Sequence, residues 1–94
     1  MDSDGYPTDR ELEIIRNWPR TDVQGCFEFI RDRWRYPDRW TLEDDGYLHV
    51  STGGWSGNEE MIGALRENMM IWLMSWYQIT RGGHYIFKLP SVRA

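Results

Sequence analysis

Cysteine is almost missing from this 94-residue sequence: Cys26 stands alone, so no intrachain disulfide can form. Small secreted domains usually carry several cysteines, which makes a reducing cytosol the natural compartment. The start, Met1-Asp2-Ser3-Asp4-Gly5, is acidic and polar, the reverse of a secretory leader. The longest apolar-dominated run, Met69 to Ile79, is about half of what a membrane-spanning helix needs. A cytoplasmic protein with no membrane segment is therefore expected. Histidine is limited to His49 and His84. With one cysteine they fall short of the about four ligands that a structural zinc site takes, which argues against a metal. A Gly-x-Ser-x-Gly elbow, a His-Glu-x-x-His helix and a convincing carboxylate dyad are also missing. No cofactor and no enzyme activity are expected.

Aromatic side chains are abundant at 15%, with six Trp, and apolar residues reach 40%. That composition excludes intrinsic disorder, which goes with few aromatics. Eleven basic and fifteen acidic side chains give a net charge of −4. This balance argues against sequence-independent nucleic-acid binding, which rests on neutralising phosphates. The length fits one domain over residues 1–94, with 1–7 and 90–94 expected as frayed tails.

Thr8 and Glu11 have capping-box spacing and predict a helix that Pro19 stops. Thr21 or Asp22 caps a second helix running to about Tyr36, with Val23, Cys26, Phe27, Ile30 and Trp34 as its apolar stripe. Trp40–Glu43 and Tyr47–Val50, joined by Asp44-Asp45-Gly46, read as a hairpin. A long third helix then opens at Ser56, with Glu59 at capping-box spacing. Ile62, Leu65, Met69, Trp72, Leu73 and Trp76 form its core stripe. Gly82-Gly83 ends it as a C-terminal cap, and Tyr85–Leu89 is the last strand. The expected fold is α+β in the order α-α-β-β-α-β. A three-stranded, mainly antiparallel sheet packs on the long apolar helix. That helix is apolar nearly all round from Met69, which predicts a two-fold homodimer.

The segment Gly53-Gly54-Trp55-Ser56-Gly57-Asn58 joins a strand to a helix. It reads either as an anion- or partner-binding loop, with amides at a helix start, or as a tight turn with Trp55 in the core. It matches neither the P-loop nor the dinucleotide fingerprint. Arg81 and His84 flank the second glycine pair. A 22-residue helix between the two glycine sites would span roughly 33 Å, so they are not expected to line one pocket within a monomer. His49 and His84 could face each other across the sheet. Cys26 is either their partner or a small buried hydrophobe. Arg31, Arg33, Arg35 and Arg39 interleave with Trp34, Tyr36 and Trp40. This second patch, with Arg31, Arg35, Tyr36, Arg39 and Trp40 as contact residues, suits stacked bases or an acidic protein. Glu28, Asp32 and Asp38 among the arginines are expected to ion-pair them along a helix.

Read as a string, Ser51-Thr52-Gly53-Gly54-Trp55-Ser56-Gly57-Asn58-Glu59, then Trp72, Trp76 and Arg81-Gly82-Gly83-His84-Tyr85, resembles a family of short hypothetical proteins of tailed bacteriophages and prophages. The likeness spans roughly residues 8–88 and implies a phage origin and a cytoplasmic domain. The family has no assigned activity, so no catalytic residue carries over. Two readings follow. The protein blocks a host defence or regulatory protein by surface contact, or it sequesters a nucleotide-like signal. A nucleic-acid accessory role comes third.

Overall fold

A computed structural model describes residues 5–80 and 83–89. The first capping box forms as expected. Thr8 Oγ1 accepts from the Glu11 amide at 3.1 Å, and Glu11 Oε1 accepts from the Thr8 amide at 2.8 Å, opening α1 (Asp9–Arg16). Pro7 and Leu12 are both buried, at the positions of a hydrophobic staple around that cap. The N-terminal segment is thus anchored from Tyr6 onward rather than frayed. Residues 1–4 and 90–94 lie outside the described residues.

Asp22 caps α2 (Val23–Arg31) by accepting from the Gly25 amide at 3.1 Å. The helix stops five residues before the expected end at Tyr36. Pro37 disfavours helical geometry in the residue before it, and Tyr36 sits at φ 69°. A buried asparagine, Asn58, also binds the Arg35 backbone in place of helical partners. A 3-10 turn over Pro37–Arg39 then leads into the expected hairpin of β1 (Trp40–Leu42) and β2 (Tyr47–Ser51).

The long third helix is not formed. Two shorter helices, α3 (Ser56–Glu67) and α4 (Met69–Ser75), stand in its place, followed by a strand, β3 (Trp76–Thr80), and its hairpin partner β4 (His84–Lys88). Asn68 makes the break. Its Oδ1 accepts from the Ile71 amide at 3.4 Å, capping α4, while its Nδ2 donates to the carbonyls of Ile15 and Trp18 at 3.0 Å each. From Trp76 the chain is rich in aromatic and β-branched residues, which suit a strand. Gly83, at φ 77°, therefore turns a hairpin instead of capping a helix. The sheet has four strands in the order β1-β2-β4-β3, with every neighbouring pair antiparallel.

Leu48, Val50 and Phe87 are buried on one face of the sheet and join the helical core of Ile15, Phe27, Ile30, Met61, Leu65 and Ile71. Of the expected core stripe, Ile62, Leu65 and Trp72 are buried, whereas Met69, Leu73 and Trp76 are exposed. The break at Asn68 turns Met69 and Leu73 outward while Trp72 stays inside. Among the described residues, no helix is long and apolar enough to cross a membrane.

Asn68→Ala leaves the Ile15 and Trp18 carbonyls without this buried donor, and is expected to cost about 1–3 kcal/mol in urea denaturation. A second expectation concerns acid. Burial raises the pKa of the Glu11 carboxyl, but the Thr8 amide and the Arg33 guanidinium, 2.7 Å away, outweigh it and hold the group near 2 instead of 4.5. A depressed folded pKa gives stability that is full above the unfolded value and lost as pH falls through the folded one. Unfolding free energy should therefore drop between pH 4.5 and about 2. Glu11→Gln should flatten that part of the profile.

Candidate functional site

The strand-to-helix loop binds its own amides. Gly53 N–H donates to Ser51 Oγ at 3.4 Å, Gly54 N–H to Thr52 Oγ1 at 3.3 Å, and Trp55 N–H to the Thr52 carbonyl at 3.1 Å. These three amides are engaged within the turn. Gly54, at φ 78°, serves the turn, and the other two glycines serve packing. A Cβ on Gly53 would lie 2.7 Å from the Tyr36 ring, and one on Gly57 would lie 2.3 Å from the Trp55 ring. At Gly53 and Gly57 the groups that come close to the backbone are the chain's own aromatic rings.

Those rings bring the two predicted patches together. Trp55 is half-buried, with the Tyr6 ring 4.8 Å away and the Arg35 guanidinium 4.7 Å from its centroid. The Arg39 guanidinium lies 5.8 Å from the Tyr36 ring. Ser56 does not form the expected capping box with Glu59. Trp55 occupies the N-cap position, and Ser56 Oγ donates to the Tyr6 hydroxyl at 3.2 Å. Tyr6, Arg35, Tyr36, Arg39, Trp55 and Ser56 thus form one arginine and aromatic surface. Tyr6 was not foreseen; its signal was an aromatic beside Pro7 ahead of a strong helix cap.

Asn58 underlies this surface and takes no part in contact. It is fully buried, accepts from the Arg35 amide at 3.0 Å, and donates to the carbonyls of Arg35 at 2.8 Å and Thr52 at 3.2 Å. Its amide fixes the 34–36 segment against the start of α3.

The arginines are not the ion-paired helical face expected. Arg33 reaches back to Glu11 at 2.7 Å, and Arg31 meets Asp32 at 3.7 Å with both side chains exposed. Among the described residues, neither Arg35 nor Arg39 has a carboxylate partner. Asp38 follows the end of α2, where helical spacing no longer applies. Arg31 and Trp40 stand elsewhere. With Gln24, Phe27, Leu42 and Leu48 they line a cavity of about 220 Å³ between α2 and β1.

The two glycine sites adjoin within one chain. Thr52 N–H donates to the Gly83 carbonyl at 3.1 Å, and Ser51 pairs with His84 in the sheet. The break at Asn68 and the return through β3 remove the separation that a single long helix would impose. His84 lies on the open sheet face, its ring 5.6 Å from that of His49 as anticipated. Cys26 lies in the helical core on the other side, its thiol pushed up to about 12 by burial and the Asp22 charge. It is a packed hydrophobe, with no route to either histidine. Arg81 lies outside the described residues.

Gly57→Ala places a methyl where the Trp55 ring rests, so the ring must leave its seat. The Trp55 indole N–H signal in ¹H–¹⁵N spectra is expected to move to a solvent-exposed position. The helical gain of about 1 kcal/mol for Gly→Ala should offset most of the lost packing. No family model matches the chain, and searches of curated proteins and of solved structures return no match.

Proposed function

We propose that this protein works by binding, without turnover, and that the Tyr6, Arg35, Tyr36, Arg39 and Trp55 surface contacts an acidic segment of a host protein. In this reading it is a phage-type inhibitor of a host defence or regulatory protein, acting in the bacterial cytoplasm. The observation that carries it is the pair of guanidiniums at Arg35 and Arg39, held over Trp55 and Tyr36 with no carboxylate partner among the described residues. An arginine with no carboxylate partner, resting on an aromatic ring, is held in place and keeps its planar fork free for a bidentate carboxylate. Arginine, tryptophan and tyrosine are the residue types enriched at interface hot spots. The bacterial setting belongs to the proposal and rests on the resemblance read from the two glycine motifs alone.

A second reading has its own support. The same rings and guanidiniums suit a nucleotide-like signal, whose base stacks and whose phosphates pair with arginine.

Affinity capture from bacterial lysate, with mass spectrometry of proteins and co-purified nucleotides, tests both. The variant Arg35→Glu/Arg39→Glu is expected to lose the captured partner, with affinity at least tenfold weaker. Its melting temperature should stay unchanged, because Asn58 binds the Arg35 backbone and not its side chain. A partner retained at full affinity by this variant would overturn the assignment of the surface. A nucleotide that is lost with the two arginines would replace the protein reading with the second one.

A further inference from the structure

Of the nine large hydrophobic side chains left exposed among the described residues, six fall within residues 69–79: Met69, Met70, Leu73, Met74, Trp76 and Ile79. The other three, Ile14, Tyr36 and Leu42, are scattered over α1, the residue before the 3-10 turn, and β1. Met69, Met70, Leu73 and Met74 recur at one- and four-residue spacing and so share the outward face of α4. Trp76 and Ile79 pair with Phe87 and Tyr85, which places them on the helix-covered face of the sheet. There, at the β3 edge, they remain 44% and 40% exposed. The helical layer stops short of that edge.

We propose that this face is covered by a second copy of the chain, α4 of each copy packing over Trp76 and Ile79 of the other across a two-fold axis. Three observations select a second copy as the occupant. First, residues 68–80 contain no charged side chain, although the chain carries −4 overall. A two-fold contact sets each patch against itself, and an uncharged patch meets its own image without like-charge repulsion. Second, the six side chains expose roughly 600 Å², the order of the roughly 800 Å² per partner of a standard interface and about a tenth of a small protein's surface. Third, methionine side chains adapt their shape to what they meet, which suits a helix face that must pack on its own image.

The contact is one of side chains rather than a continued strand ladder. The register between β3 and β4 is irregular between Trp76 and Gln78. A bulge of this kind bends an edge strand away from further pairing. A membrane surface fits less well, because attraction to anionic lipid needs basic residues that this stretch lacks. The inference stands apart from the proposed contact face around Trp55 and does not depend on it.

Light scattering on the full chain at tens of micromolar is expected to return twice the 11.3 kDa of one chain. Leu73→Glu, at a position 68% exposed, should give the monomer mass with an unchanged circular dichroism spectrum. Ile79→Lys should do the same. Hydrogen exchange over residues 69–79 should be slower at high than at low concentration in the native chain and independent of concentration in Leu73→Glu. A native chain that stays monomeric throughout this range overturns the proposal. So does a Leu73→Glu chain that remains dimeric, or a native monomer that floats with vesicles containing anionic lipid.

Discussion

The hydrogen bonds between the Asn58 side chain and the backbone of Arg35 are the constraint on which the surface depends. They are two-sided, the buried asparagine amide both accepting from and donating to one residue. Through them the irregular segment after α2 is fastened to the first turn of α3. Without that attachment Arg35 and Arg39 would project from a loop into water, and the Trp55 ring would lack its cation. The third bond, to the Thr52 carbonyl, ties the same amide to the end of β2. One side chain therefore registers helix, strand and loop against each other.

Asn68 plays the matching part at the far end of α3, where it joins the end of α1 to the start of α4. Both asparagines are buried, and a buried amide is costly unless all its groups find partners. Here they do: no buried side-chain polar atom among the described residues lacks a hydrogen bond. The packing of α1 on α3 is thus set by directional polar contacts as well as by the apolar core. Between them, the two amides hold the ends of the helix that carries Met61, Ile62 and Leu65.

Local signals in the sequence were legible where a few neighbouring residues decide the outcome. Thr8 with Glu11, Asp22 ahead of Val23, and the Asp-Gly turn between β1 and β2 each act within one turn of chain. The α+β class and the antiparallel sheet follow from them. Asn68 was not legible, because an asparagine inside an apolar run breaks a helix only if distant carbonyls accept its amide. Those carbonyls belong to Ile15 and Trp18, some fifty positions earlier. Everything downstream depends on that one break: the exposure of Met69, Leu73 and Trp76, the strand β3, and the meeting of the two glycine sites. For the surface, the residue types around Trp55 and Arg35 were visible as two separate patches. Their meeting was not, since it rests on Asn58 and on glycines whose neighbours are rings from other segments.

The strand order β1-β2-β4-β3 has a consequence for how the chain is made. β4 sits between β2 and β3 in space, yet follows both in sequence. While the chain emerges from the ribosome, the first hairpin can close, but the inner edge of β2 stays open until residues 84–88 are released. α1 likewise waits for α3 and Asn68. Most of the domain must therefore consolidate late, after nearly all of it has been synthesised. A pause or truncation shortly before β4 would leave one edge of β2 unpaired and the core without Phe87, the type of incomplete surface that chaperones bind and proteases reach.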